Sequence, residues 1–208
     1  MMSGTIAEYG ELARRVILIR HPKVIAPMHG VCYGQGDVEL AAGWEDSLME
    51  SLSVVRSLPE REKPTLIWHS DLQRASRPAR WIARQLGIET NATVDLRERD
   101  FGSWQMKPWD EIPQEEVLRC HEMLEFPETY RPGGGETTSE VQRRACRWLS
   151  SLFEHDKTGV TVVAVAHSGS ITALAGAVHK LPPLQWTPYY LKPSECLVLE
   201  AVRLGCIR

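Results

Sequence analysis

Val160-Thr161-Val162-Val163-Ala164-Val165-Ala166 holds no charged residue, is β-branched at most positions, and leads straight into His167. Such a run fits a strand covered on both faces, the kind found inside a parallel sheet. Val16-Ile17-Leu18-Ile19 reads the same way. It too meets charge and imidazole at its end, in Arg20-His21, before Pro22 removes a backbone donor. Two strands of this kind constrain the chain strongly. Each must lie in a sheet interior, and if they run parallel they bring both histidines to one edge. In open α/β sheets, the groove beyond the carboxyl ends of the strands is where ligands sit.

The intervening segments supply the helices that a parallel sheet needs. Trp44, Leu48, Leu52, Val55 and Leu58 recur at helical spacing and stop at Pro59. Thr65–Trp68 predicts a short strand. After it, Leu72, Ala75, Ala79, Ile82, Ala83 and Leu86 share one helical face that ends at Gly87. Ser70 or Asp71 is the expected cap of this helix, and Arg74 falls in its first turn. Pro78 predicts a kink or a later start. Val94–Phe101 carries a charge run; if extended, it sends Arg97 and Arg99 to one side and Glu98 and Asp100 to the other. Ser139-x-x-Gln142 has capping-box spacing, and the helix it opens shows Val141, Ala145, Trp148, Leu149, Leu152 and Phe153 on one face. Ile171–Val178 predicts an apolar helix and Cys196–Leu204 a last strand.

This alternation predicts an α/β fold, a three-layer sandwich with a mostly parallel central sheet. Residues 1–14 read as a flexible lead-in and 15–208 as a single domain. Within it, Gly102–Gly135 is rich in Trp, Pro and Gly and reads as a cap-like excursion over the site, with a short helix near Glu111–Leu124. Pro132-Gly133-Gly134-Gly135 reads as its flexible return. Lys23–Leu40, which contains Cys32-Tyr33-Gly34, reads as a loop over the groove.

Composition removes several function classes. A formal charge of −3 and a pI near 6.2 leave no footprint for nucleic acid or an anionic membrane surface. No apolar stretch is long enough to span a bilayer. The five cysteines, Cys32, Cys120, Cys146, Cys196 and Cys206, are scattered and never spaced C-x-x-C. That argues against a disulfide framework or a structural zinc site and fits a reducing cytoplasm.

At the shared edge the sequence gathers His21, His167, Arg20, Arg74 and Glu98, without the carboxylate spacing of a metal site. Arginine forks bind phosphate oxygens in bidentate fashion and keep their charge, and histidine can act as a covalent nucleophile. Asp100 would lie on the same side as Glu98 and is a rival acid. His29, His69, His121, His155 and His179 read as structural or exposed.

Arg20-His21, Ser70-x-Leu72-x-Arg74-Ala75, Glu98-x-x-Phe101-Gly102, Gly135-Glu136 and Ala166-His167 resemble the histidine phosphatase superfamily, whose fold is phosphoglycerate mutase-like. Within it, Cys32-Tyr33-Gly34, Asp100-Phe101-Gly102-x-Trp104 and Pro132–Glu136 are most similar to α-ribazole phosphatase-type members. The resemblance implies that His21 is phosphorylated, that Arg20, Arg74 and His167 bind the phosphoryl group, and that Glu98 protonates the leaving oxygen. It makes Cys32, Tyr33 and Gly34 the substrate loop. The implied reaction is hydrolysis of a small-molecule phosphate monoester, α-ribazole phosphate or a related metabolite, with no metal or organic cofactor. The alternatives are a phosphoglycerate mutase-type phosphoryl transferase and a catalytically weak phospho-ligand-binding member. The chain departs from the family pattern at Pro22, Pro27, Gln105-Met106 and Ser168, and these positions bear on substrate identity.

Overall fold

The computed structural model describes residues 14–155 and 161–202. The expected lead-in, apart from Arg14, and residues 203 and 204 of the expected last strand lie outside the described residues. The strands are β1 (Arg14–Arg20), β2 (Val31–Cys32), β3 (Leu66–Ser70), β4 (Glu89–Thr93), β5 (Lys107–Pro108), β6 (Thr161–Ala166) and β7 (Cys196–Val202). The helices are α1 (Trp44–Ser47), α2 (Met49–Arg56), α3 (Gln73–Leu86), α4 (Gln114–Leu118), α5 (Glu122–Glu125), α6 (Thr138–His155) and α7 (Ser168–Val178).

The central sheet has the order β4-β3-β6-β1-β7. Its first four strands are parallel neighbours, and β7 closes it antiparallel to β1. Side chains of a strand alternate between faces, so each buried strand feeds two cores. Val16, Leu18, Val162 and Ala164 face α6 and α7, against Trp148, Leu149, Ile171 and Leu174. Ile17, Ile19, Val163 and Val165 face α2 and α3, against Leu52, Val55, Ala79 and Ile82. Three layers follow directly from this two-sided burial. Arg20 pairs with Ala166 in the register of β1 and β6, so His21 and His167 come one residue past a matched pair.

Several local expectations need correction. The edge strand β4 carries no sequence signal: Glu89-Thr90-Asn91-Ala92-Thr93 has no apolar run, and a strand paired on one side only does not need one. The expected 44–58 helix is two helices, α1 and α2, separated at Leu48. Helix α3 runs through Pro78, and neither Ser70 nor Asp71 caps it. Asp71 is drawn away by Arg97, and Asp37 from the preceding loop accepts the Gln73 N–H at 2.8 Å instead. The capping box of α6 lies two residues before the expected one. Thr137 Oγ1 accepts from the Glu140 N–H at 3.2 Å and Glu140 Oε2 from the Thr137 N–H at 3.0 Å, whereas Ser139 bonds Glu128. Helix α7 begins at Ser168, three residues earlier than expected.

The excursion differs from expectation mainly in being well fastened. In place of one helix it holds the short α4 and α5, and its β5 pairs with β2 of the preceding loop. Trp104, Cys32 and Ile112 form a small core beneath it. The glycine-rich return packs closely against the Asp100–Gly102 turn. A Cβ on Gly102 (φ +52°) would stand 2.2 Å from the Gly133 carbonyl oxygen, and one on Gly135 would stand 2.1 Å from that of Asp100.

Candidate active site

His21 is buried, and its ring centroid lies 5.1 Å from that of His167, with the planes inclined at 59°. The His21 Nδ1 is 2.7 Å from the Pro22 carbonyl oxygen. A carbonyl only accepts, so Nδ1 carries the hydrogen and Nε2 keeps its lone pair. Burial pushes the His21 imidazolium pKa down to about 3, with Arg74 and Arg20 adding to the shift against the opposing Pro22 carbonyl. His167 is held well below the usual range by burial, Arg74 and His21. Both rings are therefore neutral at ordinary pH.

The two arginines lie at the same edge. Arg20 ends β1 and donates Nη1 to the Leu191 carbonyl at 2.6 Å. Arg74, wholly buried in the first turn of α3, donates Nη1 to the Gly36 carbonyl at 2.7 Å and Nη2 to that of Gly34 at 2.5 Å. Glu98 faces the first turn of α7. Its Oε1 accepts the Arg99 N–H at 2.9 Å and its Oε2 the Gly169 N–H at 3.3 Å. Only glycine suits position 169 in this arrangement, since a Cβ there would stand 2.2 Å from Glu98 Oε1.

Buried polar groups are normally paired, so those left without partners are informative. Among the described residues there are seven such side-chain atoms. Five belong to this edge: Arg20 Nε, Arg74 Nε, both nitrogens of His167 and Ser168 Oγ. Nitrogens of two arginines and a histidine, joined by a hydroxyl, suit an anion with several acceptor oxygens. Among the described residues no three His, Cys, Asp or Glu side chains stand together as a metal site would require.

Other expected residues sort differently. Tyr33 and Gly34 border Arg74, whose guanidinium carbon lies 4.9 Å from the Tyr33 ring centroid. Cys32 turns into the small core under Trp104, and burial pushes its thiol pKa up to about 12, which leaves it inert. Asp100 is committed to a turn, with Oδ1 accepting the Gly102 N–H at 2.7 Å. Val94–Phe101 is no strand, since it opens with a 3-10 turn at Val94–Leu96. Arg97 and Arg99 do not share a partner. Arg97 grips Asp71, while the buried Arg99 donates to Thr138 Oγ1 and the Glu136 carbonyl. Of the departures from pattern, Pro27 is exposed, whereas Gln105 accepts the Gln35 N–H at 2.6 Å and Met106 packs on Gly36. Among the remaining histidines, His29, His121 and His179 are exposed, His69 is buried, and the His155 side chain lies outside the described residues.

Sequence reasoning missed Arg144. This buried guanidinium pairs with Glu136 at 2.8 Å and donates to the carbonyls of Asp95, Arg97 and Glu98 at 2.9, 2.6 and 2.9 Å. It fastens to α6 the backbone that carries Glu98. A signal was present: Arg144 falls between Val141 and Trp148, on the apolar stripe of an amphipathic helix, where a charge needs a reason.

Residues 16–203 match the histidine phosphatase superfamily (branch 1). The chain belongs to that superfamily. It is 30% identical over 181 residues to the glucosyl-3-phosphoglycerate phosphatase of Mycobacterium tuberculosis, covering 84% of this chain and 79% of that one. It is 28% identical over 161 residues to the metal-independent phosphoserine phosphatase of Arabidopsis thaliana, covering 76% of this chain and 66% of that one. A mycobacterial glucosyl-3-phosphoglycerate phosphatase solved with VO3 superposes with a TM-score of 0.77 at 26% identity, over 90% of this chain and 93% of the other. An α-ribazole phosphatase from Shigella flexneri shares the fold, with a TM-score of 0.73 at 19% identity over 92% of this chain and 96% of the other. These relatives support a phosphatase. Among the described residues, no helix is long and apolar enough to cross a membrane.

Proposed function

We propose that the protein hydrolyses a small-molecule phosphate monoester, without a metal ion, through a phosphohistidine at His21. The observation that carries this reading is the neutral His21–His167 pair beside the unpaired nitrogens of Arg20 and Arg74. Nε2 of His21 holds a free lone pair and attacks phosphorus while the ester oxygen leaves. Arg20, Arg74 and His167 carry the donors that the phosphoryl oxygens need, and their fixed positions favour the transition state, where negative charge spreads over those oxygens. Glu98, close enough to Arg74 to act on it electrostatically, delivers a proton to the departing alkoxide and takes one back from the water that hydrolyses the phosphohistidine.

His21→Ala tests this directly. The variant should lose turnover of an aryl phosphate and lose the labelled phosphoenzyme trapped by acid quench. A trapped phosphoenzyme undiminished in His21→Ala would overturn the assignment. Glucosyl-3-phosphoglycerate, phosphoserine, α-ribazole phosphate and 3-phosphoglycerate form the substrate panel. Isomerisation of the last, in place of phosphate release, would mark a mutase.

A further inference from the structure

Each candidate phosphate-binding arginine carries a tyrosine. Tyr33 lies on Arg74 and is half-buried; Tyr190 lies on Arg20, with the guanidinium carbon 5.4 Å from its ring centroid, and is 63% exposed. A large ring left so exposed is usually mobile, yet both neighbours of Tyr190 are fixed. Tyr189 stacks on His179 with centroids 5.0 Å apart, and its carbonyl accepts from Thr172 Oγ1. Leu191 is buried, and its carbonyl accepts from Arg20 itself. One turn earlier, Trp186 is wedged against Gly176, where a Cβ would stand 2.1 Å from the indole nitrogen. The segment therefore fixes the backbone on both sides of Tyr190 and leaves its ring uncovered. Tyr33 on Arg74 and Tyr190 on Arg20 thus place one ring against each of the two arginines.

We propose that Tyr190, with Tyr33, forms an aromatic seat for the alcohol half of the substrate and selects phosphate monoesters whose alcohol carries a flat-faced ring, sugar or aryl, over short acyclic ones. This inference rests on the phosphatase reading above. A ring laid on an exposed tyrosine leaves water on one face and gains an oriented ring contact. Because Arg20 holds both the seat and the phosphoryl group, that contact aligns the ester for in-line attack. The same contact offers nothing to a three-carbon chain.

Benzyl phosphate and propyl phosphate are both primary alkyl esters and differ mainly in the ring, so their kcat/KM ratio isolates the seat. The wild-type protein should favour benzyl phosphate by roughly tenfold. Tyr190→Ala should bring the ratio close to one, chiefly through KM for the benzyl ester, and Tyr190→Phe should restore it, since the ring face suffices. A wild-type ratio near one, or a Tyr190→Ala loss equal for both esters, would overturn the seat while leaving the phosphatase reading intact. Turnover of neither ester by wild-type protein, with no phosphoenzyme, would instead overturn the phosphatase reading and this inference with it.

Discussion

Glu98 and Asp100 carry the same functional group two residues apart, and their hydrogen bonds separate them. The Asp100 carboxylate caps the Gly102 N–H and its backbone carbonyl accepts from Glu136, so this residue builds the turn. Glu98 instead reaches the first turn of α7, directly after His167. Proton delivery to an alkyl leaving group is worth about 10²- to 10⁴-fold, whereas an activated aryl oxide leaves with little help. Glu98→Gln should therefore slow alkyl phosphates by that factor and aryl phosphates far less. Asp100→Asn should lower thermal stability without that selectivity. Equal losses for both substrate classes in Glu98→Gln, or the selective loss appearing only in Asp100→Asn, would transfer the acid role. The sequence could place both carboxylates near the site but could not choose between them by residue reading. The choice lies in backbone donors contributed from positions 102 and 169.

At the scale of elements, burial decided what was legible. The strands around Val16–Ile19 and Val162–Ala166 are covered on both faces, so their composition announced them, and the histidines at their ends followed. β4 is polar because it has one partner strand, and no pattern in its residues marks it. The caps of α3 and α6 are illegible for a related reason: several Ser, Thr and Asp residues can cap, and tertiary partners decide which one does. For α7 the cap bears on the proposed chemistry, because His167 is itself the N-cap and the first turn supplies the N–H that Glu98 accepts. Gly169→Ala should therefore behave as an indirect lesion of Glu98. The new Cβ would stand 2.2 Å from Oε1, and the flexible end of Glu98 moves more easily than the helix. Alanine is the better helix former by about 1 kcal/mol, so melting temperature should hold. The expected pattern is a loss of roughly tenfold or more on alkyl phosphates, with aryl phosphates largely spared. A variant that melts much earlier, or one that keeps full alkyl activity, would show that the position serves packing only.

For the whole molecule, the site makes folding sensitive to acid. His21 and His167 are buried at the sheet edge between two arginines, and both have imidazolium pKa values depressed in the folded state, that of His21 to about 3. In the unfolded chain each returns to about 6.5. Below that value the unfolded state binds protons that the folded state refuses, so stability present above pH 6.5 is lost as pH falls toward 3. Each histidine contributes up to about 1.4 kcal/mol per pH unit in that window. Urea unfolding between about pH 7.5 and 5 should show the decline beginning above the range where carboxylates titrate. His21→Gln should reduce the slope by about one proton's worth. Inorganic phosphate should act in the opposite direction to acid. A bound dianion favours charged imidazoles, and it binds only the folded state, so it should raise stability and flatten the decline. An identical slope in His21→Gln, or stability that does not respond to phosphate at any pH in this range, would show that the buried histidines and arginines do not form one anion site.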